Sequence, residues 1–264
     1  HTLPEFPKDT TDRNRTSPFA FTGNKFEFRM LGSNLSGAFP NTVLNTILAD
    51  IFFEISEKLK RSTSSGDSVK EIIRENYEQH QRILFSGNGY SEEWVSEAER
   101  RGLPNIRNTM EAIGYLTQEK NVELFARYGI FSETELESRR NVLIDQYIST
   151  VGVEIKTLLM MTNRYILPSI AKEIRTYENI PTSSFANKRV SKLSSTMDLL
   201  EEKWKALSEK FDASLEMKDT EKRGMFVCEE LLPIMEEMRN LIDSYEMIAD
   251  KAIYPLPTYT ELLF

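Results

Sequence analysis

The chain has 264 residues, enough for one large domain or two modest ones, with 40% hydrophobic and 28% charged residues, the balance of an ordinary soluble globular protein. Its 41 acidic and 33 basic residues leave a net charge of -8, which argues against nucleic acid as a main partner, because phosphate binding wants a basic face. A single cysteine, Cys228, excludes an internal disulfide and fits a reducing cytoplasm; two histidines, His1 and His80, exclude a histidine-rich metal site; and no run of 18 apolar residues exists to span a membrane.

Residues 1–38 are rich in Pro, Gly, Asn, Thr and Phe and read as loop, strand, loop. The strand is NKFEFRM, residues 24–30, which alternates strictly: Lys25, Glu27 and Arg29 on one face, Phe26, Phe28 and Met30 on the other. From Pro40 the spacing turns helical through TVLNTILADIFFEISEKL, and the proline suits a first turn. RSTSSGD (61–67) is a break, VKEIIRENYEQHQRIL a second helix and FSGNGY (85–90) a turn. Three short helices follow, SEEWVSEAERR, NTMEAIGYL and EKNVELFARYG, each ending near Gly or Pro. Ser132 then offers an N-cap with Glu135 completing a capping box, and the helix it starts is expected to run to about Tyr165, with Ile144, Ile148, Val151, Ile155 and Leu158 in 4-3-4-3 spacing.

The last third is more regular. Val190, Leu193, Met197, Leu200, Trp204, Leu207 and Phe211 form one ladder; after a polar turn at 217–220, Cys228, Leu231, Met235, Met238, Ile242, Tyr245, Ala249 and Ala252 form a second. Two such ladders joined by a short turn predict a long antiparallel helical hairpin, with a kink or a delayed start at Pro233 and a weak point at Gly224. Cys228 lies on the seam and reads as a small packed hydrophobe, His80 as a surface residue, and Trp94 and Trp204 as packing anchors. The closing YPLPTYTELLF suggests an extended segment packed on a neighbouring surface.

The charged strand face admits a plain reading as a solvated face. Its setting favours another: Arg13 and Arg15 precede it in NRTSPFAFTG, and a Glu between two cations suits a site that holds a divalent metal, a phosphate and a carboxylate together. NRTSPFAFTGNKFEFR resembles the signature near the end of the glutamine synthetase catalytic domain, in the form seen in type III, the long bacterial class. SNLSGAFPNTVLNTILAD and NTMEAIGYLTQEKNVELFARYGIFSETELESRRNVLIDQY resemble that family's helices after the strand, while GNGYSEEWVSEAERRGLPN and PLPTYTELLF look specific to type III.

The resemblance implies a fold and a role. The fold expected is mainly α, with a short β-strand segment from the end of an α+β catalytic domain followed by a helical bundle with the long hairpin; residues 1–165 would close the catalytic domain and 166–264 form a helical extension. The function implied is glutamine synthesis from glutamate, ammonia and ATP through γ-glutamyl phosphate, with Mg or Mn, in a ring-shaped cytoplasmic homo-oligomer. Position by position, Arg15 would contact the transferring phosphate, Lys25 the nucleotide phosphates, Glu27 a metal, and Arg29 glutamate or the acyl phosphate. Two departures stand out: Ala20 occupies the place of a second arginine common in the family, and Lys25 replaces an arginine, so a point charge stands where a fork is usual, with Arg13 a candidate to compensate. No tyrosine stands before an Asp-Leu-Pro, the tripeptide through which type I enzymes are regulated. The earlier metal-binding glutamates and nucleotide loop of such an enzyme are not in this sequence, so the chain reads as a portion of a longer protein and is expected to be inactive alone. The competing reading is an assembly module in which the hairpin (190–252) and the tail dock between subunits.

Overall fold

The computed structural model describes residues 19–21, 26–28, 36–61, 65–85, 91–180 and 182–263. Most of them are helical. The mixed α+β part of the expected fold is corrected: no strand of the expected seven residues is found among the described residues. What is present is a minimal ladder, β1 (Phe19–Phe21) antiparallel to β2 (Phe26–Phe28), three residues each. The reason is physical. Alternation sets the local backbone, but a strand persists only against neighbours, and two short strands do not make a catalytic-domain sheet. The fold is mainly α.

Chain contacts divide the molecule into two compact units, His1–Arg107 with Gln118–Glu133, and Asn108–Thr117 with Thr134–Phe264. In the first, α1 (Ala38–Lys60) begins two residues before Pro40, which needs no N–H partner in a first turn. α2 (Ser65–Gln79) is tied to it by Lys58 and Glu75 at 2.7 Å. A 3₁₀ turn at Gln81–Ile83 leads to Phe85, whose ring stacks 4.1 Å from that of Trp94 on α3 (Glu92–Arg100). Arg101 lies over the same indole and donates to the Leu84 carbonyl, so Trp94 is a packing anchor. His80 is exposed. α5 (Glu119–Arg127) returns to α1, where Asp50 accepts from Arg127 and from the Tyr128 hydroxyl, both at 2.8 Å.

The second unit opens on α4 (Thr109–Gly114), capped by Asn108. α6 (Glu133–Met161) buries Ile144, Ile148, Val151 and Ile155, and α7 (Leu167–Glu178) continues it after a π-helical turn at Thr162–Ile166. α8 (Ser184–Leu215), capped by Ser183, turns at Glu216 into α9 (Thr220–Phe226), capped by Asp219. A second π-helical turn, Val227–Leu231, precedes α10 (Leu232–Glu246); α11 (Tyr259–Leu262) closes the chain with a Thr258–Glu261 capping box. Both π turns stand before a Leu-Pro pair. Proline has no N–H to give the carbonyl four residues back, and its ring crowds that carbonyl. Those carbonyls belong to Arg164 and Glu229, each inside a π turn that widens the helix to accommodate the loss. Pro233 therefore acts where the sequence suggested, and the equivalent effect of Pro168 was not expected.

α8 runs antiparallel to α9 and α10, as the surface ion pairs Lys203–Glu237 and Lys210–Glu230 record by stepping in opposite directions. Leu193, Leu200, Leu207 and Phe211 meet Leu231, Met238, Ile242 and Tyr245 in one buried core. The second ladder ends sooner than its spacing implied: α10 stops at Glu246, and Ala249 and Ala252 lie in turns, Ala252 exposed. Trp204 is half-buried and its indole N–H donates to the Leu159 carbonyl at 2.9 Å. At Gly224 a Cβ would stand 2.6 Å from the Met110 sulfur and 3.3 Å from Ile144, so α9 approaches α6 closely where the sequence had marked a weak point. Among the described residues no helix is long and apolar enough to cross a membrane.

Candidate functional site

Glu27 is the one expected site residue among those described. It sits at the centre of β2, half-buried, and pairs across the ladder with Ala20. Residues directly opposite share a face, so the position where the resembled family carries a second arginine lies across from this carboxylate. Arg15, Lys25 and Arg29, with the auxiliary Arg13, lie outside the described residues. Among the described residues no three His, Cys, Asp or Glu side chains gather in a way that could hold a metal. Glu27 offers one carboxylate of hard oxygen donors, so it fits a divalent ion as a single ligand and does not make a complete site.

A second polar cluster, unforeseen from sequence, lies inside the second unit. Glu173 on α7 has no exposed surface. Its carboxylate faces the Arg189 guanidinium of α8 at 3.6 Å and receives the Asp250 backbone N–H at 3.4 Å. Arg189 lies over the rings of Tyr177 and Phe185 and donates to the Ile248 carbonyl just past α10. Beside it the buried Ser169 hydroxyl donates to the Ile166 carbonyl at 2.8 Å and lies 3.1 Å from the Tyr245 hydroxyl. Burial pushes the Tyr245 phenol up to about 12. The cluster pins the end of α10 to α7 and α8. Its signal in the sequence is Glu173 standing in an apolar stripe, Ile166, Ile170, Glu173, Tyr177, where a charge needs a partner. Elsewhere in the unit, Cys228 is half-buried against the cluster of Met110, Ile113, Ile144 and Ile148. Burial, then the adjacent Cys228 thiol, raises the Tyr147 phenol to about 12.

Residues 68–184 match the glutamine synthetase C-terminal domain. Along 99% of its length the chain is 34% identical to a type-3 glutamine synthetase of Dictyostelium discoideum. This chain is similar to the C-terminal portion of type-3 glutamine synthetases. It is also 32% identical to glutamine synthetases of Bacteroides fragilis, over 99% of the chain, and of Butyrivibrio fibrisolvens, over 98%. The chain spans 38% of the length of the Dictyostelium and Bacteroides glutamine synthetases and 39% of the Butyrivibrio one. The glutamine synthetase C-terminal match covers α2 to α7, so it contains neither the β1–β2 ladder nor the α8–α10 hairpin.

Proposed function

We propose that this chain is the C-terminal portion of an ATP-dependent glutamate–ammonia ligase, contributing metal, phosphate and glutamate contacts to a site completed by the rest of the protein, and inactive alone. The observation that carries the reading is the similarity to type-3 glutamine synthetase along 99% of the chain. In this reading Glu27 gives one carboxylate to a Mg or Mn ion, Arg15 and Lys25 hold the nucleotide phosphates, and Arg29 meets the glutamate or its acyl phosphate. Bound ATP and metal would supply the phosphoryl group and the positive charge that offsets its oxygens. The residues of this chain would position and neutralise: the guanidinium and ammonium groups of Arg15, Lys25 and Arg29 would stabilise charge that grows on the transferring phosphoryl group. Glutamate's side-chain carboxylate would take the γ-phosphoryl group of ATP with ADP leaving, and ammonia, losing a proton, would then displace phosphate to leave glutamine. The ligase works in the cytoplasm as a ring-shaped homo-oligomer. Changing Glu27 to Ala in the longer protein tests the assignment: metal-dependent glutamine formation falls while the oligomer persists. Unchanged activity would remove Glu27 from the site.

A second reading is an assembly module without a catalytic contribution, in which the α8–α10 hairpin and the closing segment dock between subunits. Deleting residues 180–264 separates the two: loss of the ring by light scattering supports assembly, and an intact ring counts against it.

A further inference from the structure

The closing segment, residues 254–262, folds over the end of α6 and the outer face of α10 and leaves a pocket of 240 Å³ beneath it. Met161, Ile166 and Ile242 form its floor; Tyr254, Leu256 and Tyr259 form its roof. The charges at the rim are already engaged. Glu246 accepts from the Tyr254 hydroxyl on one carboxylate oxygen, at 3.1 Å, and from the Tyr259 backbone N–H on the other, at 3.0 Å. Arg239 donates to Asp243 at 3.0 Å and lies 5.4 Å from the centre of the Tyr259 ring.

We propose that this pocket binds a small uncharged aromatic molecule between the closing segment and the wall made by α6 and α10. The class follows from the lining. An ion would have to break pairs that Glu246 and Arg239 already make, so a guest with no net charge is favoured. The two tyrosine rings and the Met161 thioether suit an aromatic face or edge. At 240 Å³ the space has room for one or two fused rings, since about 150 Å³ is enough for benzene. Because the guest touches both floor and roof, its binding holds residues 254–262 closed. The inference does not depend on the ligase reading.

Indole is a suitable probe, titrated into the whole 264-residue chain while the melting temperature and amide hydrogen exchange are followed. The expected result is a saturable rise in melting temperature. With indole at ten times its half-saturation concentration, exchange across residues 254–262 slows about tenfold, as linkage to the closed form requires. Leu256→Trp, or Met161→Phe where the first does not fold, fills the pocket and abolishes both responses. The absence of a saturable response in the unsubstituted chain, or an undiminished response in a folded filled variant, would overturn the proposal.

Discussion

Glu173 and Arg189 form an ion pair in the core of the second unit, and each is costly to leave without the other. Removing one member of such a pair typically costs about 3–5 kcal/mol, whereas replacing both with apolar groups of similar size is often neutral. Glu173→Ala is therefore expected to lower stability to urea by about that amount, and Glu173→Met with Arg189→Met to recover most of it; a double variant as unstable as the single one would refute this account of the pair. Tyr245 leads to a pH prediction. Its folded value is about 12 against an ordinary value near 10, so the unfolded chain gives up that proton first as pH rises. The contribution is complete below pH 10 and lost between about 10 and 12. Urea stability followed from pH 9 to 12 should fall, and fall less steeply in Tyr245→Phe. A slope unchanged by that substitution would assign the loss to other groups, Tyr147 among them. A carboxylate in a helix is so often solvated that sequence reasoning passed over Glu173; only its place in an apolar stripe distinguishes it. Glu27 drew notice through the residues around it, Arg15, Lys25 and Arg29, and of the four only Glu27 lies among the described residues.

The antiparallel arms of the second unit depend on a seam and tolerate loss of their surface pairs. Leu207 is fully buried between α8 and α10, so Leu207→Ala should cost about 2–5 kcal/mol. Lys210→Ala removes an exposed pair with Glu230 and should change stability by less than about 1 kcal/mol. Chemical denaturation of the two variants checks the ordering, and equal losses would contradict a seam-held hairpin. The seam was legible because its 3-4 spacing repeats over many turns, so packing and local pattern agree. Its limits were not: spacing alone carried the second ladder on to Ala249 and Ala252, past the turn that follows Glu246. Alternation in NKFEFRM specified extended backbone, and among the described residues Phe26–Phe28 is extended and pairs with Phe19–Phe21. Pro233 could be read as a disturbance, but not its form as a π turn, repeated before Pro168, because the missing N–H and the crowding ring are met equally by a kink, a break or a widened turn.

At the scale of the whole molecule, one chain carries two compact units and a likeness to 38% of the Dictyostelium type-3 glutamine synthetase. The ligase reading makes the site a shared one, with one wall here and the remainder in the rest of the protein. The 264-residue chain by itself should then form no glutamine from glutamate, ammonia and ATP, and any metal-dependent product would refute that division of labour. The most direct test of the central claim is the rate of glutamine formation by the longer protein carrying Glu27→Ala, measured across Mg and Mn concentrations with the oligomer monitored by light scattering. The account predicts a loss of about 100-fold or more, the scale on which removing one preorganised charge-stabilising group acts, with the assembly unchanged. Full activity in an intact oligomer would contradict it.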